Sequence, residues 1–211
     1  MTHEQAQPHT PEEPREPRLR VVKGAPWRID GSRRAKWSSE EFLRQHAVAV
    51  HQIGDPVLHA PAKKPKLSKG DLEALVARMF ASMIAARGIG IAAPQIGLPL
   101  RIAIMDVDEA GLVCVDPVVE AVSGDVEETT EGCLSVRGFY GLIERPLGAR
   151  VSAIDVNGKR FVVEGQELGA QCMLHETDHL SGTLYVDRLR SREDLHAVEP
   201  ERSEEVASGE A

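Results

Sequence analysis

Apolar residues recur at helical spacing along the segment LSKGDLEALVARMFASMIAARG, at positions 72, 75, 76, 79 and 83. Ser68 lies where a helix N-cap is expected, with Asp71 three residues later, and Gly88 is a candidate C-cap. This pattern predicts a helix over residues 69–87.

The residues that follow are patterned as strands. The segments LPLRIAIMDVD (98–108) and CVDPVVEAV (114–122) are rich in β-branched residues. Asn157-Gly158 lies between two β-prone runs, which is a strong hairpin signal. Residues 166–182 then return to a helix-compatible composition that ends near Gly182. The order predicts an α+β fold, with antiparallel β-sheets packed around a C-terminal helix and with an N-terminal helix.

Composition divides the chain into four segments. Residues 1–17 carry prolines at positions 8, 11, 14 and 17, and residues 191–211 hold seven acids and two arginines. We expect both segments to be disordered tails. Residues 18–45 form a basic N-terminal extension, and residues 46–190 hold the patterned elements and are the predicted catalytic domain.

The extension contains an unusual basic segment. Residues 18–36 hold seven arginines or lysines and one acid, and Trp27 and Trp37 are the only tryptophans of the chain. One hypothesis is a flexible arm that binds ribosomal RNA, with cations on phosphates and indoles stacked on bases. The alternative is an extension that packs on its own domain through the two indoles.

Charge and cysteine content narrow the setting. The net charge of −8 gives no reason to expect the whole molecule to coat nucleic acid. Three cysteines at irregular spacing argue against a disulfide framework. No apolar run approaches the roughly 18 residues that span a bilayer. We therefore expect a cytoplasmic protein without a membrane segment.

The segment HETDH places His175 and His179 four residues apart in the predicted last helix. Residues at this spacing share one helix face, so both imidazoles can bind one metal ion. Glu176 points in a neighbouring direction and can stay off the metal. The alternative is a solvated helical turn with ordinary histidines.

Two histidines do not complete a catalytic metal site, which usually has three protein ligands and one open position. Downstream of the motif the candidates are Asp187, His196 and the acids of the tail, which leaves a metallopeptidase of the His-Glu-x-x-His type short of a ligand. Upstream, Cys133 follows a glycine in TTEGCLSVRG and is our candidate. Its alternative role is that of a small buried hydrophobe.

A third element is GIGIAAPQIG, residues 88–97. Gly90 leaves backbone groups open to close approach, and Gln95 offers an amide that can donate to an oxygen. The glycines follow a helix instead of a strand, which argues against a phosphate-binding loop.

Taken together, GIGIAAPQ (88–95), EGCLS (131–135) and HETDH (175–179) resemble the three signature motifs of peptide deformylases, in order and with suitable separations. GDPVLHAPA (54–62) resembles the N-terminal segment of that family, and the likeness spans about residues 48–189. It implies a hydrolase that removes the N-formyl group from the N-terminal methionine of newly made polypeptides and releases formate.

The resemblance also implies a role for each motif residue. Metal ligands would be Cys133, His175 and His179, Glu176 would be the general base and acid, and Gln95 and the Leu134 N–H would be oxyanion donors. One divalent ion per chain is implied, ferrous iron in the cell and often zinc, nickel or cobalt in preparations. Such an ion lowers the pKa of its bound water and makes it a nucleophile near neutral pH. Glu176 could take the proton and deliver it to the leaving amine.

Substrate binding follows from the same segments. An N-formyl-methionyl peptide could add as an extended strand against Gly88, Gly90 and Gly132, with an apolar pocket for methionine. We expect Ile89, Leu168 and Cys172 to line that pocket, although ordinary core packing is an equal alternative for each.

The chain departs from the resemblance at several positions. Arg137 stands where proline is usual, Leu174 where glutamine is usual, and Tyr140 and His59 where arginine is usual, which affects expectations of substrate preference rather than of chemistry. Arg145 is expected to pair with Glu131. A metallopeptidase and a catalytically silent metal- and peptide-binding homologue remain as alternative functions.

Overall fold

The structure, a computed structural model, describes residues 18–199. Its helices there are α1 Gly31–Trp37, α2 Glu40–His46, α3 Lys69–Ala85 and α4 Leu168–Leu180. The predicted tail 1–17 and residues 200–211 of the other predicted tail lie outside the described residues. Within the described part, every helix is too short or too polar to cross a bilayer.

Between residues 18 and 199, nine strands form two antiparallel sheets, in agreement with the predicted α+β fold. The strands are β1 Leu19–Lys23, β2 Gly90–Ala92, β3 Ile102–Met105, β4 Leu112–Val122, β5 Val126–Cys133, β6 Val136–Pro146, β7 Gly148–Ile154, β8 Arg160–Gln166 and β9 Leu195–Ala197. The larger sheet has the order β1-β8-β7-β4-β3-β2, and the smaller has the order β5-β6-β9.

The two long helices lie on opposite faces of the larger sheet. Ala103 and Met105 of β3 pack in one apolar cluster with Met173 of α4, whereas Ile102 and Ile104 pack in a second cluster with residues of α3. Successive side chains of a strand point to opposite faces, so β3 has to be apolar at every position. This arrangement fixes α4, the helix of the HETDH segment, against the centre of the sheet.

The predicted elements are confirmed, with shifted ends. Ser68 caps α3 by accepting from the Asp71 N–H at 3.2 Å, but the helix ends at Ala85 and Gly88 is not its C-cap. Arg87 takes the left-handed conformation instead, with φ of 58°. The Asn157-Gly158 turn joins β7 and β8, with Gly158 at φ of 78°.

The basic segment 18–36 packs on the domain, so the hypothesis that it is a flexible arm is wrong. β1 pairs with β8 at the edge of the larger sheet. The Trp37 ring lies between those of Trp27 and Phe80, with centroid distances of 6.3 and 6.2 Å. Arg34 donates two hydrogen bonds to the buried Asp106 at 2.6 and 2.8 Å. The alternative, packing through the indoles, is confirmed, and ribosome binding by residues 18–36 stays a prediction.

Part of the C-terminal segment that was predicted to be disordered forms a strand. Residues 195–197 form β9, which pairs with β6, so disorder from residue 191 onward is wrong for this stretch. Leu195 packs against a small apolar cluster, and the rings of His196 and Tyr140 stack at 5.2 Å. The acidic composition of residues 191–211 concealed these three strand residues, because their pairing with β6 depends on contacts with a distant segment.

Candidate active site

The end of β5 and the second half of α4 bring three candidate metal ligands together. Cys133 is the last residue of β5, and His175 and His179 lie one turn apart on α4. Their donor atoms all lie within 4.8 Å of one another. The Cys133 Sγ is 3.3 Å from the His179 Nε2, and the two imidazole rings meet edge to face with centroids 4.9 Å apart. This is the donor set of a mononuclear site for zinc or another divalent transition metal.

A buried ion network holds His175 in place. Glu131 contacts the His175 Nδ1 through a short hydrogen bond and accepts two hydrogen bonds from Arg145 at 2.7 and 2.9 Å. Arg145 also donates to Asp178 at 2.8 Å. The predicted Glu131–Arg145 pair is confirmed, and Asp178 is an addition that the sequence did not indicate. A carboxylate on one ring nitrogen leaves the other nitrogen free to face a metal ion.

The network also sets the protonation of its members. Burial by itself would raise the pKa of Glu131, but the hydrogen bonds from His175 and Arg145 outweigh it and lower that pKa to about 2. Burial lowers the pKa of His179 well below its usual range, so this imidazole is neutral, the form that a metal ion binds. His175 is shifted in the opposite direction: despite burial, its contacts with Cys133 and Glu131 hold its pKa well above the usual range, so a metal ion that binds here would release the His175 proton.

Glu176 lies beside these groups and is almost fully buried. Its side chain is 3% exposed, and its Oε2 has no hydrogen-bond partner among the described residues. Burial raises the pKa of this carboxyl to about 7, with the nearby His175 opposing the shift and Glu131 adding to it. An unpaired, buried carboxyl with a raised pKa is typical of a group that exchanges protons with a substrate.

Gly90 lies where α4 approaches β2 closely. A Cβ on this residue would lie 2.5 Å from the Glu176 Oε1 and 3.0 Å from the Cys172 Sγ. Glycine is therefore required here so that α4 can bring the Glu176 carboxyl against β2. The expected open approach of a ligand to this backbone is compatible with that role but is not needed to explain the residue.

Gln95 is held with its amide directed into the site. Its Oε1 accepts from the Ala92 N–H at 2.8 Å, and its Nε2 lies 3.6 Å from the Cys133 Sγ and 3.3 Å from the Ser135 Oγ. The residue belongs to a 3₁₀ turn over Ala93–Ile96 and is buried. Because Ala92 fixes the carbonyl end, the amide NH₂ faces Cys133.

These residues surround one cavity of about 740 Å³. Its wall includes all of the predicted substrate-binding residues, Gly88, Ile89, Gly90, Gly132, Leu168 and Cys172, together with Gln95, Cys133, Leu134, His175 and Glu176. His179 lies beneath this wall, 1% exposed. Three further residues line the cavity although no sequence pattern placed them in the site: Arg87, Phe139 and Gln171.

Comparison with known proteins identifies a family to which most of this chain is similar. Residues 47–194 match the family model described as polypeptide deformylase. The matched segment starts directly after α2 and contains every residue that the sequence analysis placed in the site.

Curated relatives and solved structures agree with that match. The peptide deformylase of Heliobacterium modesticaldum is 40% identical over 147 residues, which cover 68% of this chain and 97% of the relative. The peptide deformylase of Hahella chejuensis is 42% identical over 143 residues, covering 66% and 85%. The structure of a peptide deformylase from Synechococcus elongatus in complex with actinonin has a TM-score of 0.67 at 39% identity, covering 69% of this chain and 80% of that one. The Thermotoga maritima peptide deformylase has a TM-score of 0.67 at 32% identity, covering 69% and 99%.

Proposed function

The chain belongs to the polypeptide deformylase family, and from that premise we propose that it hydrolyses the N-formyl group of N-formyl-methionyl nascent peptides. Water is added across the formamide C–N bond, so that formate leaves and the peptide gains a free amino terminus. The observation that carries the proposal is one cavity whose wall holds the buried Glu176 carboxyl and the oriented Gln95 amide beside the Cys-His-His donor set.

In this proposal Cys133, His175 and His179 hold one divalent metal ion. Their mutually close donor atoms and the Glu131 contact on the far nitrogen of His175 support that assignment. A thiolate with two imidazoles suits several transition metals, and we expect ferrous iron in the cell, with zinc, nickel or cobalt in preparations. When bound, the ion acts as a Lewis acid that makes a water molecule nucleophilic near neutral pH.

Glu176 is the proposed proton carrier. It takes a proton from the attacking water and later gives it to the amine nitrogen as the C–N bond breaks. The unpaired Oε2 and the burial of this carboxyl support the role, because a group that is free of other partners and near its own pKa can both accept and donate. The absence of a side chain on Gly90 leaves the space that this carboxylate occupies.

Gln95 and the Leu134 backbone N–H are the proposed donors to the formyl oxygen. Negative charge builds on that oxygen as water attacks, and a donor that is already oriented stabilises it without reorganisation. The hydrogen bond from Ala92 to the Gln95 carbonyl supplies this orientation. Leu134 follows Cys133 in the turn between β5 and β6 and lines the same cavity.

The peptide is proposed to bind as an extended segment near residues 88–90 and Gly132. Main-chain hydrogen bonds of this kind are largely indifferent to side chains. Ile89, Leu168 and Cys172 are the proposed lining of the methionine pocket, which their position on the cavity wall supports. The first side chain would then be selected and the later ones much less so.

Formate release tests the proposal directly. Anaerobically purified, metal-loaded protein is given N-formyl-Met-Ala-Ser and, in parallel, the same peptide without the formyl group. We expect formate and free amine in equal amounts from the first peptide and no cleavage of the second. Cleavage of internal bonds in the unblocked peptide would instead identify a metallopeptidase. Full metal occupancy without any turnover would identify a silent binding homologue.

A further inference from the structure

The mouth of the cavity carries positive charge although the whole chain is acidic. Arg87 and Arg137 both line the cavity and both are exposed. Over residues 18–199 neither guanidinium forms an ion pair, in contrast to the paired Arg145 and Arg150. The two carboxyl groups of the wall, Glu131 and Glu176, are each 3% exposed and lie at its base. A peptide that leaves the cavity therefore meets cations and no exposed carboxylate on its wall.

Both arginines are carried by backbone that is held in place. Gln52 donates to the Leu134 carbonyl at 3.1 Å and accepts from the Arg137 N–H at 3.3 Å, which fixes the turn between β5 and β6. Arg87 has φ of 58°, a conformation that a residue other than glycine adopts at a cost. A Cβ on the adjacent Gly88 would lie 2.7 Å from the Leu134 Cδ1, so the end of α3 lies directly against that turn.

We propose that Arg87 and Arg137 form a carboxylate-binding rim that makes the protein favour formyl-methionyl peptides with aspartate or glutamate at the second or third residue. This inference rests on the proposed function. An extended peptide advances about 3.3 Å per residue. The second and third residues of the peptide therefore pass the mouth of the cavity when its methionine fills the pocket. Guanidinium groups suit this task because they bind carboxylates with two parallel hydrogen bonds.

The expected effect is modest and salt-dependent. An exposed ion pair contributes roughly 1.5-fold to 5-fold in binding, so each arginine should raise kcat/KM for the acidic peptide by about that factor. Screening shortens the range of such contacts from about 10 Å at 0.1 M salt to about 3 Å at 1 M. The preference should therefore fall steeply as salt is added.

The test compares C-terminally amidated peptides, because a free C-terminal carboxylate would itself bind the rim. The ratio of kcat/KM for formyl-Met-Asp-Ser-amide to that for formyl-Met-Asn-Ser-amide is measured, and likewise with the Asp or Asn at the third residue. The proteins are the metal-loaded wild type, Arg137→Gln, Arg87→Asn and the double variant. Asparagine is chosen at position 87 because it tolerates positive φ. Arg78→Gln, an exposed charge change on α3 away from the cavity, is the matched control.

We expect a ratio above one for the wild type and for Arg78→Gln, a lower ratio in each single variant, and a ratio near one in the double variant and at 1 M salt. A wild-type ratio of one, or a ratio that is the same in the double variant, would show that Arg87 and Arg137 do not select acidic peptides. The proposed function would still stand in that case. If the metal-loaded wild type releases formate from neither peptide, the proposed function is wrong and the rim falls with it.

Discussion

Glu131 links the candidate metal site to the rest of the protein at the scale of single residues. Its carboxylate contacts His175 on one side and Arg145 on the other, and it is 3% exposed. Removing one partner of a buried ion network leaves the others without compensation, which costs more than the network contributes as a whole. The pairing could be anticipated from the family resemblance, because Glu131 opens the EGCLS motif and Arg145 matches an arginine of the family. Asp178 could not, since nothing in its local sequence shows that it reaches Arg145.

Glu131→Gln should weaken metal binding and stability together. We expect affinity for the divalent ion to fall about 10- to 100-fold, because the His175 ring loses its orienting carboxylate. Competition with a chelator measures this. Glu128→Gln is the control, since Glu128 lies on the same strand but is half exposed and pairs with the exposed Arg190. Equal affinities in the two variants would contradict the account of Glu131.

The same variant gives a prediction for pH. The Glu131 pKa falls from 4.5 to about 2 on folding, so its stabilising effect is complete above pH 4.5 and disappears as the pH falls towards 2. The difference in Tm between the metal-free wild type and Glu131→Gln should therefore be largest at pH 5 and above, and should narrow between pH 4.5 and 2. A difference that stays constant over this range would argue against an ionised Glu131 in the folded protein.

At the scale of elements, β1 extends the larger sheet beyond the residues that match the family model. This strand precedes the matched residues 47–194, pairs with β8 and becomes the edge strand of the sheet in its place. It also reaches α4: a Cβ on Gly169 would lie 2.0 Å from the Arg18 carbonyl oxygen. The strand therefore contacts the first turn of the helix that carries both histidines.

Leu19→Ala should show the contribution of β1 to stability. Leu19 is 6% exposed and belongs to the cluster packed on α4, so its truncation should lower the free energy of unfolding by about 2–3 kcal/mol. Val22→Ala on the same strand is the control, because Val22 is 36% exposed and should change stability by less than about 0.5 kcal/mol. Urea denaturation measures both, and similar losses in the two variants would show that β1 does not pack as described.

At the scale of the whole molecule, local sequence patterns predicted individual helices and hairpins but not how distant segments pair. Helix α3, the β7–β8 hairpin and helix α4 follow from spacing, caps and turn residues that act within a few positions. The order of strands in the larger sheet and the place of β1 at its edge depend on contacts between distant segments, which periodicity does not encode. The motif residues could be proposed from the sequence because each motif is a short, continuous segment. The mouth of the cavity combines Arg87 and Arg137 from distant segments, and no local pattern indicates that they line the same cavity.

Glu176 is the residue on which the proposed hydrolysis depends most, and its replacement by glutamine gives the most direct test. Formate release from a formyl-methionyl peptide is compared between the wild type and Glu176→Gln, each loaded with the same metal and shown to contain equal amounts of it. Glutamine keeps the shape of the side chain but cannot carry the proton. We predict that kcat falls by about 100-fold or more, the range of a lost general base and acid, while metal content is unchanged. Turnover within a few-fold of the wild type would contradict the account.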